Sequence, residues 1–111
     1  MELIRKEPAG TTVYVTDEIR HGILEFEKTN GYASAVIFTL FVDERFRKHG
    51  VATNLIQRAE AVARNIGCRT LEIALFPIIE QGPWLRLWLE RIGYHEADRE
   101  GYVISTMCKY L

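Results

Sequence analysis

A single α/β domain, with a mixed, mostly antiparallel sheet around a central parallel βαβ unit and two main helices, is what these 111 residues predict. Three observations lead there. Residues 33–42 are almost wholly apolar and rich in β-branched and aromatic types, the pattern of a strand buried on both faces. They pass through a basic turn into Val51, Leu55, Ile56, Ala59, Val62, Ala63 and Ile66, spaced by threes and fours as in an amphipathic helix. Another apolar strand, 70–76, follows, and strand, helix and strand in succession require a right-handed crossover between parallel neighbours.

Taken in order, Glu2 to Lys6 reads as a short strand that Pro8 and Gly10 end. Residues 11–16, Thr-Thr-Val-Tyr-Val-Thr, are strongly strand-forming. Residues 23–28 alternate, with Leu24 and Phe26 on one face and Ile23, Glu25 and Glu27 on the other. Asn30-Gly31 is a hairpin signal, so the first third is an antiparallel meander ending in the strand Tyr32 to Val42. In the helix from Val51 to Ile66, Asn54, Arg58, Glu60 and Arg64 fall on the polar side, and Gly67 sits at the C-terminal cap. Pro77 closes the strand 70–76. A second helix opens at Pro83, carries the stripe Leu85, Trp88, Leu89 and Ile92, and stops at Gly93. Tyr94 to Ala97 and Tyr102 to Tyr110 then form two strands joined by the polar turn 98–101.

Size and composition fix the class. The length suits one domain spanning 1–111, with a hydrophobic fraction of 48% and a charged fraction of 26%. A net charge of −1 and a pI near 6.3 argue against a nucleic-acid binder, which would be strongly basic. Cys68 and Cys108 have no metal or disulfide spacing, and no stretch reads as a signal peptide or membrane span. A cytoplasmic protein without nucleic-acid or membrane partners is the expectation. Cys68 and Cys108 read as structural, His21, His49 and His95 as surface or loop residues, and Trp84 and Trp88 as packing groups.

The positive charge is local: Arg45, Arg47, Lys48 and His49 stand just before Gly50. A helix N-terminus presents unpaired N–H groups and about half a positive charge, a ready anion site. Gly50 permits close approach to the backbone, Ala52 leaves room, and Thr53 adds a hydroxyl. The elbow suits a pyrophosphate, although neither a P-loop nor a dinucleotide fingerprint is present.

The hexapeptide Arg47-Lys48-His49-Gly50-Val51-Ala52 resembles the coenzyme A signature of the GNAT family of N-acetyltransferases: Arg or Gln, two residues, Gly, one residue, Gly or Ala. The flanking strands and the ending Trp88 to Tyr94 resemble the family too, over about residues 32–111. The resemblance implies an acyl-CoA N-acyltransferase-like fold whose parallel strands splay around the pantetheine arm of acetyl-CoA. It places that arm on Leu40, Phe41 and Val42, and the phosphates on Arg47, Lys48, His49, Gly50, Val51, Ala52 and Thr53. The Leu40 amide becomes the expected oxyanion donor at a strand bulge. Glu25 and Glu27 become the candidate general bases, with Glu72 a third.

Three departures accompany it. The position where the family often carries a tyrosine acid is Leu89, a frequent asparagine is replaced by Gly82, and the two helices usual ahead of the meander are missing. The acceptor groove is then open, completed by a second subunit in a homodimer, or built for a large partner. The leading expectation is an N-acetyltransferase using acetyl-CoA on a small-molecule or protein amine by direct attack. The alternatives are a catalytically weak or inactive acyl-CoA-binding regulatory module, and a small interaction domain whose basic elbow meets RNA or protein.

Overall fold

The computed structural model describes residues 1–17, 21–46, 50–75, 82–97 and 105–111. Its elements are β1 (Glu2–Glu7), β2 (Gly10–Thr16), β3 (Gly22–Thr29), β4 (Ser34–Val42), α1 (Val51–Asn65), β5 (Thr70–Leu75), α2 (Gly82–Arg91), β6 (His95–Glu96) and β7 (Ser105–Tyr110). One seven-stranded sheet runs β1-β2-β3-β4-β5-β7-β6. Among the described residues only β4 and β5 pair in parallel, over Ser34–Ile37 and Thr70–Ile73, and every other pair is antiparallel. The meander, the crossover helix and the two-helix count agree with the expectation.

Side-chain alternation divides the sheet cleanly. Val13 and Val15, Leu24 and Phe26, Ala35 and Ile37, Leu71 and Ile73, and Met107 point to the face where Leu55, Ile56, Ala59 and Ala63 of α1 and Leu85 and Leu89 of α2 meet them. Burying a side chain such as Phe26 or Leu55 is worth about 1.5–3 kcal/mol, so this layer carries the stability.

The opposite face corrects one expectation. Strand β4 is buried on one side only, because both helices share the other face. Over β1–β4 that outer face is open, with Leu3, Val36, Phe38 and Phe41 at 59, 40, 49 and 54% exposure. The strand also begins at Ser34, since Tyr32 belongs to the turn closed by its N–H on the Thr29 carbonyl.

Glu60 corrects another. It lies buried on the core side of α1, where a carboxylate survives because two donors meet it. The Tyr94 hydroxyl donates to Oε2 at 2.9 Å and Lys109 Nζ to Oε1 at 3.2 Å, while Nζ also donates to the Ile92 carbonyl at 2.9 Å. The cluster ties α1 to the end of α2 and to β7. Burial first, then the neighbouring Glu60 carboxylate, pushes the Tyr94 hydroxyl well above the ordinary tyrosine value. An unfolded tyrosine titrates near pH 10. The folded chain holds its proton more tightly, so this stabilisation is complete below about pH 10 and declines as pH rises beyond it. Denaturant titrations between about pH 8 and 11 therefore show a shallower alkaline decline for Tyr94→Phe than for the natural chain. Equal slopes would place the alkaline loss elsewhere.

Candidate functional site

The site is assembled where β4 delivers the chain to α1. Asp43 follows the strand, and its carboxylate takes both Arg45 Nε and NH2, at 3.2 and 3.1 Å, besides the Arg45 amide at 3.0 Å. Those hydrogen bonds hold Asp43 below the usual carboxylate range. Arg45 is thus engaged within the turn. Phe46 stacks on His21 with ring centroids 3.3 Å apart, and the His21 backbone carbonyl accepts the Asp43 N–H, which braces the turn against the start of β3. Arg47, Lys48 and His49 lie outside the described residues.

Gly50 stands at the N-cap of α1 with φ +79°, a left-handed conformation that side chains disfavour. A Cβ built there meets nothing within 4 Å, so the space in front of the helix end is free among the described residues. Among the described residues no side chain caps this end, and the first turn holds no acid. The amides of Val51, Ala52 and Thr53 are therefore left as donors; the first backbone bond is that of Asn54 to the Gly50 carbonyl, 3.0 Å. Thr53 Oγ1 accepts from Trp88 Nε1 at 3.2 Å, which leaves the hydroxyl proton available to a ligand and docks α2 on the first turn of α1. Gly22 lets the helix lie this low: a Cβ there would stand 2.9 Å from Leu55 Cδ1 and 3.1 Å from Val51 Cγ1.

The second half of the site is a gap in the sheet. Among the described residues β4 and β5 pair over four positions, after which the ladder of β4 continues with β3. Where the pairing stops, the β3–β4 register slips: Phe26 pairs Ile37 but Glu25 pairs Thr39, leaving Phe38 as the extra residue of a bulge. Leu40, expected at the bulge, lies two residues beyond it, opposite Leu24 on the helix side, as does Val42. Phe41 faces the open side. Nothing in the sequence of β4, which has no glycine or proline, signals the bulge.

Glu25 and Glu27 are both on the open face, between β2 and β4. Glu25 has Tyr14 on one side and Thr39, just past the bulge, on the other; Glu27 lies between Thr12 and Val36. Glu72 also sits beside Val36, but it is buried and level with the closed part of the parallel ladder. The structure thus brings Glu25, the bulge and the mouth of the gap together, and sets Glu72 apart. Leu89 is fully buried in the core and offers no acid. Sequence reading missed Tyr14, Thr16 and Met1, which with Leu3, Gly22, Ile23 and Phe41 line a depression of about 370 Å³ on this face. The alternation of residues 11–16 could have set Tyr14 and Thr16 opposite Val13 and Val15, but a hollow built from four strands leaves no mark in one segment.

Cys68 and Cys108 are free thiols, as expected, and burial raises the Cys68 thiol. Among the described residues there is no cluster fit to hold a metal ion, and no helix is long and apolar enough to cross a membrane.

No curated protein matches the sequence. Among solved structures, an acetyltransferase from Bacillus cereus aligns with a TM-score of 0.66 at 22% identity, over 100% of this chain and 74% of its own. An acetyltransferase of the GNAT family from Staphylococcus aureus aligns with a TM-score of 0.72 at 11% identity, over 93% and 68%. The PaiA N-acetyltransferase from Thermoplasma acidophilum, in complex with coenzyme A, gives 0.69 at 14%, over 90% and 60%. The mixed sheet with its parallel β4–β5 junction is the acyl-CoA N-acyltransferase fold. A model of the acetyltransferase (GNAT) family matches residues 3–94, and with most of its length so matched the chain belongs to that family.

Proposed function

We propose that the protein transfers an acetyl group from acetyl-CoA to an amine acceptor by direct attack, with no acyl-enzyme intermediate. The observation that carries this reading is the uncapped, acid-free start of α1, whose Gly50 leaves open space, set beside the gap where β4 leaves β5. That cradle fits a pyrophosphate. Gly50 and the amides of Val51, Ala52 and Thr53 would hold it, with Arg47, Lys48 and His49 adding charge, and the backbone of Leu40, Phe41 and Val42 would hold the pantetheine arm. Acetyl-CoA supplies the thioester carbon that an amine can attack.

The chain supplies the rest. The bulge at Phe38 takes backbone groups of β4 out of the β3 ladder, which shifts the expected oxyanion donor from Leu40 to the residues flanking the bulge. Glu25, opposite Thr39, takes the proton from the acceptor amine; Glu27 is one pleat further away. A thiol leaving group ionises near pH 8.5, so departure proceeds without the acid that Leu89 cannot provide. That same buried leucine favours the second reading, a weakly active or inactive acyl-CoA-binding module.

Two measurements test this. Acetyl-CoA and CoA raise the melting temperature, by about 2.7 kcal/mol of added stability at a hundredfold excess over Kd, whereas 3′,5′-ADP and pyrophosphate have little effect. Release of free CoA thiol with an amine panel then separates enzyme from module, and Glu25→Gln lowers kcat/KM by about 10²-fold while the melting shift persists. No response to CoA would overturn both readings.

A further inference from the structure

We infer that the acceptor is a small primary amine on an apolar body, seated in the depression formed by Leu3, Tyr14, Thr16, Ile23 and Phe41 with its nitrogen at Glu25. The inference rests on the transferase reading and names the substrate class of that site.

Two cross-strand rows carry it. The first is Leu3, Tyr14, Glu25 and Thr39, one residue from each of β1 to β4; the second is Thr16, Ile23 and Phe41. Both lie on the face away from the helices; the hollow of about 370 Å³ is lined by Leu3 and Tyr14 of the first row and by all of the second, and Glu25, the cross-strand neighbour of Tyr14, adjoins its edge. Adjacent rows on one face of a sheet are two residues apart, about 6.7 Å. A nitrogen at Glu25 therefore reaches, across a two- or three-carbon arm, a ring or branched chain lying over Ile23 and Phe41.

The lining is apolar where the body would rest, and Phe41 and Leu3 are more than half exposed, so covering them is favourable. The charge falls at one end. Among the described residues neither the Glu25 nor the Glu27 side chain has a hydrogen bond or ion pair, which leaves a carboxylate without a bound counter-charge beside the apolar lining, complementary to an ammonium group. Two cations stand at this rim, and each already has a partner. Arg5 lies over the Tyr14 ring, 5.8 Å from its centroid, in the row of Thr12 and Glu27, and the Met1 ammonium donates to the Thr16 carbonyl at 2.7 Å. Polar acceptors such as amino sugars or lysine in a peptide would leave Leu3, Ile23 and Phe41 exposed to water or to mismatched groups.

The experiment titrates the CoA-saturated, methyl-labelled chain with 2-phenylethylamine, ethylamine and 2-phenylethanol, following Leu3 and Ile23. The amine with the ring binds at least about tenfold more tightly than either fragment, a difference of about 1.4 kcal/mol. Leu3→Ser and Phe41→Ser each erase most of its advantage over ethylamine, and Glu25→Gln erases its advantage over the alcohol. Equal affinities, or shifts that bypass Leu3 and Ile23, overturn the inference, and so does a dimer that buries this face and excludes the amine. Tight binding without thiol release upholds the pocket and sinks the transfer reading. Release that is as fast with ethylamine or a lysine peptide as with 2-phenylethylamine does the reverse.

Discussion

Gly50→Trp abolishes coenzyme A binding and leaves the fold intact. The residue has φ +79°, so any L side chain there is strained by about 1–2 kcal/mol, a cost the core can bear. A Cβ meets nothing, so the indole is directed into the space before the helix rather than into the protein. That space is where the amides of Val51, Ala52 and Thr53 open. Three hydrogen bonds to a charged phosphate, at about 1.5 kcal/mol or more each, amount to a loss of about 10³-fold in affinity when they are blocked. Calorimetric titration with CoA, paired with circular dichroism, checks both halves of the expectation. Gly50→Ala, with the same backbone strain and little bulk, retains binding within about tenfold. A folded tryptophan variant that still binds normally would mean that the phosphates lie elsewhere.

The second large effect is on stability. Lys109→Met strands the Glu60 carboxylate in the core with Tyr94 as its remaining described partner, and costs about 3–5 kcal/mol. Among the described residues no buried side-chain N or O lacks a partner, so this variant creates a kind of defect that the native chain avoids. The triple variant Glu60→Leu, Lys109→Met, Tyr94→Phe removes all three polar groups together and recovers most of the loss. Guanidinium midpoints for the two variants decide the matter: if Lys109→Met alone moves the midpoint by less than the triple variant, the cluster is not what holds α1 to β7.

Much of the fold was legible because local pattern and tertiary role coincide. The alternation of Leu24 and Phe26 against Glu25 and Glu27 is the alternation of the finished sheet, and the run from Val51 to Ala63 is the face that the helix buries. The misreadings share a cause. Glu60 is buried because Tyr94 and Lys109, 34 and 49 residues away in sequence, satisfy it. Strand β4 is apolar on both faces, but no described helix covers the outer one. In each case a partner, or its absence, lies beyond the reach of periodicity.

The site divides the same way. Gly50 and its helix could be read from a six-residue stretch, because the anion cradle is local backbone geometry. The opposing pair Glu25 and Thr39 depends on a register slip between strands, and the hollow beside Tyr14 depends on rows contributed by four strands. Neither is encoded in any one segment.

The short parallel ladder between β4 and β5 has a kinetic side. Strands β1 to β4 are joined by turns and close on near neighbours, and the meander can form without the rest. Pairing Ser34 with Thr70 instead brings together residues 36 positions apart (70 minus 34), for an entropy cost of about 3 kcal/mol. Four rungs give little return on that closure, so the seam is expected to shut only after the meander has formed and α1 has packed on β2, β3 and β4. The junction where the ligand is proposed to enter is then the last part of the sheet to close.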